Sequence, residues 1–87
     1  MRINFSNGYY EGDVNWDNKP HGYGRMRLDN GFKYDGYWEN DKMCGKGICI
    51  TKYGAHYEGD FYNDKFHGVG KITYSNKDWY SGEFKNG

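Results

Sequence analysis

The chain has 87 residues and carries 12 Lys or Arg against 12 Asp or Glu, so its formal net charge is zero. This length allows at most one small domain with little interior, and the balanced charge argues against a nucleic-acid-binding protein. Aromatic residues make up 21% of the sequence, which predicts a folded core built from rings even though branched aliphatic residues are scarce.

One unit of about 23 residues recurs along the chain, and each copy opens on Tyr, any residue and Gly. The copies begin at Tyr10, Tyr34, Tyr57 and Tyr80. Self-similarity at a period in the low twenties is typical of a repeat array, in which each unit buries its apolar face only against its neighbours. We therefore interpret residues 1–87 as a single array with a half unit at 2–9, full units at 10–33, 34–56 and 57–79, and a half unit at 80–87.

Each unit shows the alternation of strands rather than the period of a helix. In the first unit Tyr10, Gly12 and Val14 fall on one face, and Glu11 falls on the other together with Arg25 of the next strand. Alternation of this kind predicts antiparallel strands with one packed and one wet face. The sequence thus predicts an all-β fold, an open single-layer antiparallel β-meander of stacked hairpin repeats with about eight strands.

Turn residues fall where this meander needs them. Asn40-Asp41-Lys42, Asn63-Asp64-Lys65 and Lys85-Asn86-Gly87 close the first strands of their units. The first unit has one extra residue before Pro20, which predicts a longer turn or a bulge there. Most of the 14 glycines recur in register. Because glycine normally weakens a strand, we expect rings of neighbouring strands to lie over the bare backbone.

The run Tyr57-Glu58-Gly59-Asp60-Phe61, followed by Asn63-Asp64-Lys65-Phe66-His67-Gly68-Val69-Gly70, resembles the MORN (membrane occupation and recognition nexus) repeat. The resemblance covers Arg2 to Gly87, although the second unit has Tyr37 in place of the acid and Cys44 in place of the histidine. It implies an open hairpin array used for protein–protein contact, for scaffolding or as an accessory module of a larger protein. Some members of the family are linked to phosphoinositide or membrane binding, and the resemblance does not imply catalysis by the repeats themselves.

The side chains that could support catalysis or metal binding recur with the repeat. His21, Cys44 and His67 are equivalent positions, so two strand spacings, about 9–10 Å, separate one from the next. That distance is too long for a shared metal ion or a catalytic dyad. We therefore expect no catalytic, metal or cofactor site, and we expect these side chains to cap the start of each second strand.

Two surfaces are candidates for binding a partner protein. The first is the ring-lined face, with Tyr34, Trp38, Tyr57, Phe61, Tyr74 and Tyr80. The second is the opposite face of the second unit, where Tyr37, Ile48 and Ile50 replace the charged residues of other units. An exposed patch of this kind marks a contact surface. The alternatives are that further segments cover it or that the twist of the sheet buries it.

Three alternatives to a simple binding module follow from the same sequence. Lys19, Lys42 and Lys65 form a ladder of turn lysines that could contact lipid headgroups, although Asp17, Asp41 and Asp64 stand beside them. The array could also be an accessory region of a lipid kinase-like or methyltransferase-like enzyme. Its outer strands could pair end to end with those of another copy. Without an apolar span or a secretory leader, we expect a cytoplasmic and at most membrane-peripheral protein.

Overall fold

The computed structural model describes residues 1–85, so Asn86 and Gly87 of the last predicted turn lie outside the described residues. The strands, in chain order, are β1 (Arg2–Phe5), β2 (Gly8–Val14), β3 (Pro20–Leu28), β4 (Lys33–Glu39), β5 (Lys42–Ile50), β6 (His56–Tyr62), β7 (Lys65–Thr73) and β8 (Trp79–Phe84). Each strand pairs antiparallel with its neighbour in the chain, and the sheet has the order β1 to β8. The predicted open antiparallel meander is confirmed. Among the described residues, no helix is long and apolar enough to cross a membrane.

The predicted tight turns are also confirmed. Asn40 and Asp41 have φ angles of 46° and 76°, and Asn63 and Asp64 have 52° and 69°. Positive φ at both central residues defines the two-residue hairpin turn that matches the twist of the flanking strands, and Asn and Asp tolerate it well. The amide of Asp41 donates to the carbonyl of Pro20 at 2.8 Å. Each tight turn therefore rests on the preceding unit.

The first unit has the longer turn that its extra residue predicts. Residues 15–19 connect β2 to β3, and the side-chain oxygen of Asn15 accepts hydrogen bonds from the amides of Asp17 and Lys19 at 2.9 and 3.1 Å. Pro20 then begins β3, where it pairs with Val14. These bonds add to two backbone hydrogen bonds of the turn, from the amide of Asn15 to the carbonyl of Lys19 and from the amide of Asn18 to the carbonyl of Asn15.

The core lies on one side of the sheet, here named the inner face, and it is made of rings. Tyr10, Tyr34 and Tyr57 have no exposed surface. Each phenol hydroxyl donates to the backbone carbonyl three residues further on, at 2.6 to 2.8 Å. Such bonds satisfy the polar end of a buried tyrosine and let its ring serve as apolar core. The opposite side of the sheet, which carries most of the charged strand residues, is the outer face.

A row of glycines crosses the sheet beneath these rings. The row takes one glycine from each strand from β2 to β8: Gly12, Gly24, Gly36, Gly47, Gly59, Gly70 and Gly82. A methyl group added at Gly24, Gly47 or Gly70 would overlap the phenol ring of the tyrosine in the neighbouring strand. The prediction that rings cover a bare backbone is confirmed, since these positions leave no room for a side chain.

One detail of the predicted faces differs from the structure. Strand alternation alone would put the first glycine of each Gly-x-Gly pair on the inner face with the second. Instead, Gly22, Gly45 and Gly68 have φ angles of 94°, 78° and 80°. The strand pairing shifts its register beside them. The second strand of each unit carries extra residues here, and such a bulge favours glycine because it needs positive φ.

The buried tyrosines make the stability of the fold sensitive to alkali. Burial raises the pKa of Tyr10 to about 12 and also raises the pKa values of Tyr34 and Tyr57. Unfolded phenols ionise near pH 10, so these groups contribute stability that is fully present below pH 10 and is lost as pH rises through their folded pKa values. We expect the free energy of unfolding in urea to be lower at about pH 11 than at about pH 9. An equal or higher value at the more alkaline pH would contradict this.

Candidate interaction surface

The structure divides the six residues predicted for the ring-lined face into two groups. Tyr34 and Tyr57 are completely buried, and Trp38 and Phe61 are 6% and 3% exposed. Their rings pack edge to face on one another, with the centroids of Tyr34 and Trp38 5.1 Å apart and those of Tyr57 and Phe61 5.0 Å apart. A buried ring offers no area to a partner. These four side chains therefore form the core. The expectation that they contact a partner protein is corrected, because they have almost no accessible surface.

The remaining two residues of that set are exposed at one end of the inner face. Tyr74 and Tyr80 expose 48% and 47% of their surfaces. Tyr80 lies on β8, where its hydroxyl donates to the carbonyl of Glu83 at 3.0 Å and its ring contacts Phe84 edge to face. Tyr74 follows β7 and lines a hollow between the longer loops. The accessible part of the ring-lined face thus lies at its margin.

This ring hollow, as we name it, has a volume of about 530 Å³ and is lined mainly by apolar side chains. Its apolar walls are Leu28, Phe32, Tyr53, Ala55, Ile72 and Tyr74. Ala55 and Ile72 belong to the core at its floor, whereas Tyr53 at its rim is 78% exposed. The ammonium group of Lys52 lies 5.2 Å from the ring centroid of Tyr53. The hollow is therefore an apolar cup with one positive charge at its rim.

Sequence reasoning missed most of this hollow because most of its lining residues stand in the loops. Phe32 and Tyr53 belong to the connections that follow β3 and β5, which were treated only as turns. The backbone bends there through Gly31 and Gly54, with φ angles of 100° and 88°. The signal was available, since an aromatic residue within a polar turn is unusual and exposes apolar surface.

The outer face holds the second predicted patch. The rings of Tyr23 and Tyr37 meet edge to face with their centroids 5.5 Å apart, and they are 54% and 52% exposed. Ile48 is 48% exposed, whereas Ile50 is half-buried. Tyr23, Tyr37, Ile48 and Val69 border a groove of about 580 Å³, the outer groove, and the glycine row forms its floor from β4 to β7. The twist of the sheet therefore does not bury Tyr37 or Ile48.

The charged residues of the outer face form fewer ion pairs than their positions predict. Lys46 and Asp60 are direct partners in the register and bind at 3.1 Å, and this bond holds the pKa of Asp60 below its ordinary value. By contrast, Arg27 reaches diagonally to Asp35 at 2.7 Å. Glu11 is in register with Arg25, and Glu58 with Lys71, but neither pair forms an ion pair within the described residues.

The turn lysines predicted to contact lipid headgroups are all exposed, but they stand among acids. The ammonium group of Lys42 lies 3.7 Å from a carboxylate oxygen of Asp64. Lys19 and Lys65 belong to the same edge of the sheet. Weak exposed pairs of this kind reduce the local positive charge available to an anionic surface.

The repeated histidines and cysteines contact structural neighbours. The Nδ1 atom of His21 accepts a hydrogen bond from the amide of Asn40 at 3.1 Å. The Cys44 thiol donates to a carboxylate oxygen of Glu39 at 3.5 Å. Burial raises the pKa of the Cys49 thiol to about 11, as suits a small core residue. Each contact supports the strand or turn in which the residue stands.

Comparison with known proteins agrees with the repeated pattern. The profile of the MORN repeat matches residues 10–32, 34–52, 57–79 and 80–87. Over 50 residues, 58% of this chain, the sequence is 50% identical to a protein of Plasmodium berghei (strain Anka) named "Inactive protein tyrosine kinase pTKL". The aligned part covers 4% of that relative, so this chain is similar to one small part of a much longer protein.

Proposed function

The chain belongs to the MORN repeat family, and on that premise we propose that it is a non-catalytic module that binds a partner protein through the ring hollow. The observation that carries the proposal is the hollow itself, an apolar cup of about 530 Å³ with tyrosines at its rim. Small soluble domains rarely leave such surface uncovered without a use, and aromatic side chains supply much of the energy of protein interfaces.

The chemistry of the hollow indicates which kind of segment fits it. Its floor and walls are apolar, and the one charged side chain among its lining residues is Lys52. The binding segment would insert one or two apolar side chains, with an acid beside them for Lys52. The array would then act by holding another protein in place, as a scaffold does. Its similarity to one small part of a much longer protein supports a role as a module rather than as an enzyme.

Affinity capture tests this proposal. The chain would be immobilised and exposed to an extract of the cells that express it, and retained proteins would be identified by mass spectrometry. We expect Tyr74→Asp to reduce retention of the partner at least about tenfold, since a charge would enter an apolar contact. Tyr62→Asp is the matched control, because Tyr62 is an exposed tyrosine outside the hollow.

The outcomes separate the parts of the proposal. Loss of the partner with Tyr74→Asp and retention with Tyr62→Asp support the hollow as the contact surface. Equal retention of the partner by the unchanged chain and both variants assigns the contact to another surface. If no protein is retained above the level of a blank column, the binding module itself is refuted. Circular dichroism of each variant shows that the fold is intact.

A further inference from the structure

A row of eight side chains, six of them charged, crosses the whole outer face with one residue from each strand. From β1 to β8 the row reads Arg2, Glu11, Arg25, Asp35, Ile48, Glu58, Lys71 and Ser81. The part of this row from β4 to β8 forms one wall of the outer groove, and the exposed apolar side chains of Tyr23, Tyr37 and Val69 stand on the other side of the glycine floor.

We propose that two copies of this chain associate face to face through their outer faces, about a two-fold axis that runs parallel to the strands between β4 and β5. This self-association uses the face opposite the ring hollow, so it does not depend on the partner proposed above. Two-fold symmetric dimers are the commonest protein assemblies, and in them each contact occurs twice.

The order of charges along the row is complementary to itself when it is reversed. This axis reverses the order of the strands, so β2 of one copy faces β7 of the other, and β3 faces β6. Glu11 then faces Lys71, and Arg25 faces Glu58, with opposite charge in both cases. Because of the symmetry, the two pairings give four interchain contacts between opposite charges.

The same four residues have no ion pair within the described residues of a single chain. Asp35, the one charge of the row that would face an apolar residue, Ile48, is already held by Arg27 at 2.7 and 3.2 Å. Asp35 is thus neutralised within the chain, where the dimer would offer it no opposite charge. Arg2, which would face Ser81, lies 4.1 Å from the ring centroid of Tyr9, and the ammonium group of Lys71 lies 5.0 Å from that of Trp79. Within the described residues, the four residues of the two proposed pairings have no ion pair of their own, and the dimer would offer one to each.

Other alignments of the two faces are less favourable. If the facing strands shift by one, so that the axis lies on β5, Arg25 faces Lys71 and Asp35 faces Glu58, which brings like charges together. Like charges opposite each other destabilise such contacts. A shift by two strands restores opposite charges but leaves two of the eight strands uncovered. The charge order therefore favours the central alignment.

The area of the face is sufficient for a dimer. The molecule measures 39 × 25 × 16 Å, so its broad face is 39 by 25 Å. A standard protein interface buries about 800 Å² on each partner, which is comparable with that face. Association would also remove the half-exposed side chains of Tyr23, Tyr37 and Ile48 from water. Their burial supplies attraction that exposed ion pairs alone do not give.

Sedimentation equilibrium with paired charge reversals tests the proposal. We expect a dimer whose dissociation constant rises with salt, because exposed ion pairs are screened. Arg25→Glu should raise that constant at least about tenfold, since Glu58 of the other copy would face a like charge. Glu58→Arg should do the same. The double variant with both changes should restore the dimer, because opposite charges face each other again.

A matched control separates the loss of the facing ion pairs from the change in net charge that each reversal causes. Lys65→Glu reverses an exposed charge outside the row and should leave the dimer unchanged. If the chain remains entirely monomeric at about 1 mM, the proposal is overturned. A dimer that neither charge reversal weakens, as edge-to-edge pairing of β8 with β1 would give, also overturns it. Failure of the double variant to restore the dimer, while circular dichroism shows it folded, would overturn the alignment.

Discussion

Replacement of Tyr57 by Ala is expected to destabilise the fold by about 3–5 kcal/mol, as is typical when a large buried ring is removed. Tyr57 has no exposed surface and is the first residue of the third unit. Its ring stacks on Phe66 with centroids 4.0 Å apart and meets Phe84 edge to face at 5.1 Å. Domains of this size have a total stability of about 5–15 kcal/mol, so one substitution removes a large share of it.

Urea denaturation followed by circular dichroism measures this loss, and Tyr62→Ala is the matched control. Tyr62 lies on the same strand and is 62% exposed, so its replacement should change the free energy of unfolding by no more than about 0.5 kcal/mol. Equal effects of the two changes would show that the ring core does not hold the sheet together. The result also bears on binding studies, because a variant at Tyr57 or Trp38 would lose partners by unfolding.

Replacement of Gly47 by Ala is expected to destabilise the chain by about 1–3 kcal/mol, because the new methyl group overlaps the ring of Tyr34. The direction of this change in stability is informative. Within an ordinary strand, alanine is more favourable than glycine by roughly 0.5–1 kcal/mol. Destabilisation here would therefore report the contact between ring and backbone rather than the propensity of the strand.

A double-mutant cycle with Tyr34→Ala measures that contact. Once the ring of Tyr34 is removed, Gly47→Ala should become neutral or stabilising, so the two changes should couple strongly. Additive effects of the two substitutions on the free energy of unfolding would contradict the arrangement. Chemical denaturation of the unchanged chain, the two single variants and the double variant provides the four values needed.

The strands and tight turns were predictable because they depend on short-range chemistry. Asn40-Asp41 and Asn63-Asp64 adopt positive φ readily and fix the hairpins. The alternation of Tyr and Gly then fixes which residues share a face. Even the contact between rings and glycines followed, because a strand so rich in glycine needs cover from its neighbours.

The depth of each ring was not predictable from alternation alone. Tyr34 and Tyr74 share the inner face by parity, yet the first is fully buried and the second is 48% exposed. The difference comes from neighbours: Tyr34 packs between Trp38 and Phe61, whereas Tyr74 stands beyond the end of its strand. Parity assigns a side chain to a face, but burial depends on what lies on both sides of it.

Side-chain direction explains why the ion pairs were only partly predicted. Register brings Lys46 opposite Asp60, and these two side chains bind directly. In the second unit Asp35 stands opposite Arg25 but binds Arg27 on the diagonal. Diagonal neighbours in a sheet are within reach of long side chains. The choice between them depends on rotamers, which alternation in the sequence does not encode.

We expect the ring hollow, and not the buried rings, to contact the partner. Amide hydrogen exchange of the chain with and without its captured partner tests this most directly. We predict slower exchange in residues 28–32, 51–55 and 72–74 around the hollow, with exchange at Gly36 and Ile48 in the outer groove unchanged by the partner. Slower exchange in the outer groove alone, with the loops around the hollow unaffected, would contradict the claim.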